Sequence, residues 1–239
     1  MRLVILGRGK TGAHVAEVAK ERGHDVRVLG SAENPGGSAL TPQALAEVDA
    51  VIDFTTPQAV IPNIIGAMQA KKPIVVGTTG WYDKLPMVHD LVRESAGSLL
   101  YAPNFSVGVN VFLEAARAAA AALKHGYAGH IVERHHAQKK DSPSGTAARL
   151  QQIIRDASGT ELEITSIREG DVIGTHVMLF DSPNDTIMFT HDAKSRRGFA
   201  EGAVMAAEWL AGKQGLFEFK DALASASRPT STSSASKPQ

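Results

Sequence analysis

Short apolar runs alternate with amphipathic stretches through the first part of the chain. Arg2-Leu3-Val4-Ile5-Leu6 has the continuous apolar character of a strand buried in a parallel sheet. Val15, Val18 and Ala19 then share one face of a helix that Gly23 ends, and Asp25 to Leu29 returns to strand character. Thr41-Pro42 predicts a short helix to Glu47, followed by a third strand, Ala50 to Phe54. Thr55-Thr56-Pro57 opens a helix with Val60, Ile61, Ile64, Ile65 and Met68 at helical spacing. Pro73 to Val76 is a fourth strand; Leu85, Val88, Leu91 and Val92 mark another helix; Ser98 to Tyr101 is a fifth strand. Such alternation predicts a parallel sheet covered by helices.

The pattern changes after Asn104. Ser106 caps a predicted helix from Val107 to about Lys124, and Gly126 stops it. Strand-like runs follow at Gly129 to His135, Leu162 to Arg168, His176 to Phe180 and Thr186 to His191, with one helix from Thr146 to Ala157. Strands clustered in this way predict a mixed or antiparallel sheet. A last long helix, Gly198 to Leu210, and the run Gly215 to Phe219 are expected to return to the first domain. The fold class is therefore α/β: a Rossmann-type parallel-sheet domain from 1–104 and 197–224, with a smaller α+β mixed-sheet domain from 105–196. Residues 225–239 are mostly Ser, Thr, Pro and Ala with almost no apolar bulk, and a disordered tail is expected there.

Charge narrows the function. Lys plus Arg equals Asp plus Glu, 25 each, so no global field favours nucleic acid or a membrane surface. No run of ~18 apolar residues is present to span a bilayer, and the N-terminus enters a strand with no signal-type apolar segment. A cytoplasmic setting is expected. Zero cysteines exclude disulfides, thiolate metal sites and cysteine nucleophiles.

Two motifs carry chemistry. Gly7-Arg8-Gly9-Lys10-Thr11-Gly12 is G-x-G-x-x-G between a strand and a helix, the setting in which that pattern cradles a dinucleotide pyrophosphate. An acidic ribose reader is usual about 20 residues on, but the second strand ends Leu29-Gly30-Ser31, with no acid before Glu33. Arg8 or Lys10 can meet a 2′-phosphate, so the reading leans towards NADPH over NADH. Gly77-Thr78-Thr79-Gly80 lies at the carboxyl end of the fourth strand, where such sheets bind ligands.

The second motif runs from Glu133 to Ala147, E-R-H-H-A-Q-K-K-D-S-P-S-G-T-A. Pro143-Ser144-Gly145-Thr146 reads as a helix start whose free N–H groups attract an anion. Lys139 and the His pair add charge and titratable protons. Residues 135 and 136 of a strand face opposite ways, and His130, His176 and His191 are scattered, so no metal is expected. A zinc hydrolase and a non-enzymatic dinucleotide sensor are the alternatives.

These residues resemble one family closely, 4-hydroxy-tetrahydrodipicolinate reductase (dihydrodipicolinate reductase). Its signature, E-x-H-H-x-x-K-x-D-x-P-S-G-T-A, is matched from Glu133 to Ala147. Asp53-Phe54-Thr55, Gly77 to Gly80, P-N-F-S-x-G-V-N at Pro103 to Asn110, and Ser195-Arg196, Phe199 and Gly202-Ala203 are also similar. The glycine loop is a residue tighter than the G-x-x-G-x-x-G common in the family. The resemblance implies reduction by NADPH or NADH of a small cyclic dicarboxylate to tetrahydrodipicolinate, in the diaminopimelate branch of lysine biosynthesis. It also implies a homotetramer assembled through the substrate domain. Carried over by position, His135 is the proposed proton donor or acceptor and Lys139 the second proton donor. His136, Ser144, Gly145 and Thr146 bind the substrate. Gly7, Arg8, Gly9, Lys10, Thr11, Gly12, Gly77, Thr78, Thr79, Ala102, Pro103, Asn104 and Phe105 contact the cofactor. An unperturbed His titrates near ~6.5, which suits a donor at neutral pH.

Overall fold

A computed structural model describes residues 1–226 and divides them into two units, Met1–Pro103 with the chain from Ala203 on, and Asn104–Gly202. The first unit holds a six-stranded sheet in the order β10-β5-β4-β3-β1-β2, built from β1 (Arg2–Leu6), β2 (Asp25–Leu29), β3 (Ala50–Asp53), β4 (Ile74–Val76), β5 (Ser98–Tyr101) and β10 (Gly215–Glu218). Every pairing is parallel. Helices α1 (Lys10–Glu21), α2 (Pro57–Gln69) and α3 (Leu85–Glu94) are the connections that parallel neighbours require. On one face Val4, Leu6, Val51, Val76 and Leu99 pack with Val60, Ile64, Met68 and Val88 into a buried cluster. The central strands are buried on both faces, which is why they read as unbroken apolar runs rather than alternating ones.

The C-terminal segment belongs to this unit. Val204, Ala206, Ala207 and Leu210 of α6 (Arg197–Leu210) are fully buried, and Glu208 receives hydrogen bonds from Arg22 at 2.6 and 3.1 Å and faces His24 at 2.8 Å. β10 then adds to the sheet edge beside β5, and α7 (Phe219–Ala226) closes the described chain. Ser225, expected in the tail, is instead helical, its Oγ on the Asp221 carbonyl at 2.9 Å. The rest of the expected tail lies outside the described residues.

The second unit is a mixed sheet in the order β7-β6-β8-β9: β6 (Ala128–His135), β7 (Glu163–Arg168), β8 (Thr175–Asp181) and β9 (Thr186–Asp192). β6 pairs parallel with β7 and antiparallel with β8. α4 (Val107–Ala119) and α5 (Gly145–Ser158) cover one face, where Phe112, Leu150, Ile153 and Ile154 meet Ile131, Met178 and Phe180.

Two sequence expectations fail locally. Residues 42–47 form consecutive turns rather than a helix. Leu45 N–H reaches the Thr41 carbonyl at 3.0 Å, but Ala46 and Val48 make shorter-range bonds to Gln43 and Leu45. So short a segment cannot offset helix nucleation, and burial of Leu45 holds the turn in place. The helix expected to reach Lys124 ends at Ala119 and tightens into a 3₁₀ segment, Ala120–His125, before Gly126 at φ +86°. Among the described residues, no helix is long and apolar enough to cross a membrane.

Candidate active site

In the first unit, β1 delivers the chain into Gly7 at φ +104°, and Gly9 stands at the N-cap of α1. A Cβ on Gly12 would lie 2.2 Å from the Gly7 carbonyl oxygen, so the helix can start this close to the strand only with glycine there. No side chain caps α1, which leaves its first amides for a ligand. Around Gly9 the space is open, with nothing within 4 Å of an added Cβ. Gly9, Lys10, Thr11 and Gly12 share a cavity of about 340 Å³ with Gly77, Thr78 and Thr79. A second cavity of about 690 Å³ runs past Gly7, Arg8 and Gly9 to Gly30 and Glu33. A glycine bend, an uncapped helix N-terminus and two joined cavities fit a dinucleotide.

Thr78 is fixed from behind. Its Oγ1 donates to the fully buried Asp53 at 2.6 Å and accepts from Thr55 N–H at 2.7 Å. Asn63 also donates to Asp53, at 2.7 Å. The Thr78 hydroxyl is thus spent on the fold, and its carbonyl accepts from the Trp81 indole N–H at 2.8 Å. Ala102 to Phe105 carry the chain from the first unit into the second. Ala102 and Phe105 are buried, and the Asn104 side chain accepts from Ser106 N–H at 2.8 Å.

Sequence reasoning saw no acid at the end of β2. The fold supplies one: Glu33 turns back to accept from Gly30 N–H at 2.8 Å and pairs with Arg8. The hydrogen bond from Arg8 is the main influence holding the Glu33 carboxyl below its ordinary range.

In the second unit, cross-strand register assembles a polar row. Glu133 stands opposite Ser166 on β7 and His176 on β8, and His176 stands opposite His191 on β9. Glu133 is completely buried. Its Oε1 accepts from Ser166 Oγ at 2.7 Å, the Arg168 guanidinium at 2.8 Å and Ser144 N–H at 3.0 Å. Burial works to raise its pKa, but these hydrogen bonds outweigh it and hold the carboxyl at about 2. Two residues on, and so on the same face, His135 is buried with Nδ1 3.0 Å from Glu133 Oε2, at an angle outside hydrogen-bond geometry. Burial pushes the His135 pKa below its ordinary value, against the pull of Glu133.

The helix expected at Thr146 starts at Gly145. Ser144 caps it, accepting from Ala147 N–H at 3.2 Å, and the Ser142–Pro143 peptide is cis. The Gly145 and Thr146 amides have no partner among the described residues. Lys139 is held by Asp141 at 2.7 Å, and His136 is half-buried beyond the end of β6. Sequence reasoning missed Ser166 and Arg168, both on β7, and His176 on β8.

His176 is the most buried histidine of the row, 3.2 Å from Ser144 Oγ. Burial, reinforced by His135, lowers its pKa to about 4. Glu133 opposes the shift; His191 and Lys139 add to it. The unfolded chain therefore binds more protons between the ordinary value of 6.5 and about 4, so stability is present above that window and lost as pH falls through it. Melting temperature should fall from neutral pH towards about pH 4, and His176→Asn should flatten the slope. Parallel calorimetric slopes for the two proteins would refute this origin.

The chain matches two family models: Dihydrodipicolinate reductase, N-terminus, over residues 1–105, and Dihydrodipicolinate reductase, C-terminus, over 108–223. It is 38% identical to the 4-hydroxy-tetrahydrodipicolinate reductase of Christiangramia forsetii over 239 aligned residues, 93% of this chain and 98% of that protein. The enzyme of that name from Laribacter hongkongensis is 38% identical over 201 residues, 75% of this chain and 74% of that one. A solved structure, the dipicolinate-bound dihydrodipicolinate reductase from Paenisporosarcina sp. TG-14, has the same fold at a TM-score of 0.75 and 24% identity, covering 91% of this chain and 97% of that one. A parallel dinucleotide-type sheet, a mixed second sheet and relatives matched nearly end to end agree: the chain belongs to the dihydrodipicolinate reductase family.

Proposed function

We propose that the chain is a 4-hydroxy-tetrahydrodipicolinate reductase that places a cyclic dicarboxylate at the N-terminus of α5. The observation that carries this is the pair of amides at Gly145 and Thr146, on a helix anchored through Ser144 to the carboxylate next to His135. Helix N-terminal amides favour a carboxylate, and Lys139 supplies a full positive charge. Gly9 to Gly12 and the start of α1 would hold the pyrophosphate of the dinucleotide, which supplies hydride when bound. Hydride added to a conjugated ring leaves negative charge. The His135 imidazolium passes its proton there and recovers one from solvent. Coupling the protein to the preceding synthase and following NADPH and NADH oxidation separately tests this reading; no consumption of either would end it.

Lys139→Ala should weaken inhibition by pyridine-2,6-dicarboxylate about tenfold or more, since a charge-assisted hydrogen bond contributes ~1.5–3 kcal/mol. Unchanged inhibition would remove Lys139 from the carboxylate site.

Both dinucleotides are accepted in this proposal, with Arg8 and Glu33 setting the ratio. Their ion pair is largely exposed, so releasing either partner costs little. An unphosphorylated ribose meets Glu33, and a 2′-phosphate draws Arg8 away. Glu33→Gln should raise the NADPH-to-NADH ratio of kcat/KM about tenfold, and Arg8→Ala should lower it comparably. A ratio indifferent to both would place discrimination elsewhere.

The proposal includes a homotetramer formed through the second sheet. Opposite its helices, that sheet presents Ile167 and Met188, both exposed, with Val132, Val177 and Leu179 only half-buried. A patch of this kind favours association, and light scattering should report a mass of four chains.

A further inference from the structure

Among the described residues, the hydrogen bonds that Glu133 accepts from Ser144, Ser166 and Arg168 all land on Oε1. Oε2 faces only His135 Nδ1 at 3.0 Å and His176 Nε2 at 3.9 Å. Glu133 Oε2 and His135 Nδ1 are both buried and neither has another partner. Leaving such an atom unmatched is costly, and a small rotation of the ring would bring the two into a hydrogen bond. The carboxylate cannot easily move to the ring, because three donors from β7 and the start of α5 fix its other oxygen. His176 is a poorer claimant, being farther away and having Ser144 Oγ at 3.2 Å from the same nitrogen. On the far side of the ring, His135 Nε2 lies 2.9 Å from where a Cβ on residue 174 would stand, and Gly174 leaves that space empty.

We propose that Glu133 is the positioning residue for His135: Oε2 accepts a hydrogen bond from Nδ1–H, selects the tautomer with Nε2 free, and steadies the ring when it becomes charged. This rests on His135 being the proton donor. The groups facing His135 are Glu133 on its own strand, Arg168 from β7, His176 from β8, and Lys139 and Asp141 from the following loop. Arg168 offsets the Glu133 charge, so the carboxylate orients the ring without trapping the proton on it.

Two measurements on the full chain decide the matter. Long-range ¹H–¹⁵N spectra of the wild-type protein should show neutral His135 with its proton on Nδ1. In Glu133→Gln the amide donates to Nδ1 instead, so the alkaline limb of the kcat/KM profile should move down by about one pH unit, roughly tenfold in rate above it. The dinucleotide Kd should stay within about twofold of wild type, since Glu133 is outside the cofactor cavities. A proton on Nε2 in the wild type, or a limb that does not move, overturns the proposal. If Glu133→Gln fails to fold, the wild-type tautomer alone decides. Failure of the proton-donor reading looks different: wild-type turnover with no titrating limb, whatever the tautomer.

Discussion

His135→Gln is expected to lower kcat by about 10²- to 10⁴-fold, the usual contribution of a positioned general acid, while NADPH still binds with wild-type affinity. Glutamine keeps a polar side chain of similar reach but has no proton to give near neutral pH. The ring belongs to the second unit, at the end of β6, and the cavities that fit a dinucleotide are built wholly from the first. A substitution at 135 therefore leaves the lining of those cavities unchanged, and a melting curve would expose any global damage. Inhibition by pyridine-2,6-dicarboxylate should also persist, because the α5 amides remain. Equal losses in kcat and NADPH affinity would strip His135 of its chemical role.

The second large effect is expected from Gly7→Ala. At φ +104° an L-residue is strained by ~1–3 kcal/mol. The new methyl would also sit 2.1 Å from the Phe54 carbonyl oxygen, a backbone atom of the neighbouring strand end that cannot swing aside. Overpacking of this kind adds ~1–3 kcal/mol. Together they should lower the melting temperature on the order of 10 °C for a chain of this size and raise the dinucleotide Kd at least tenfold. Gly9→Ala provides the contrast. Gly9 lies at φ −71° with nothing within 4 Å, so stability should be untouched while the methyl intrudes where a pyrophosphate would approach. If the two variants lose stability alike, the glycine loop is a folding element and its part in cofactor binding is secondary.

What could be read in the sequence, and what could not, divides by the range of the interaction. The parallel sheet was legible because strands buried on both faces must be apolar throughout, and each is punctuated by a glycine or a cap. The start of α5 was legible within a residue because Ser144 and the residues after it carry their own capping chemistry. The partners of Glu133 were not. Ser166 and Arg168 on β7 and His176 on β8 are ordinary polar residues, and only register brings them to one carboxylate. The histidines judged scattered along the chain include one whose ring centroid is 5.1 Å from that of His135. Glu33 escaped for a similar reason, since its carboxylate reaches the end of β2 by a turn rather than by position in the strand. Thr41-Pro42 misled because a helix start was present without enough helix behind it.

The place of β10 has a consequence for biosynthesis. The ribosome releases β1 to β5 early, but β5 keeps an open edge until Gly215–Glu218 emerges to pair with it. By then all of the second unit has been made. The nascent chain must therefore carry an exposed strand edge through about half of its translation, a hazard for pairing with other chains. The second unit, continuous from Asn104 to Gly202, can complete its own sheet during that interval. Limited proteolysis of stalled nascent chains should find the second unit resistant before the first.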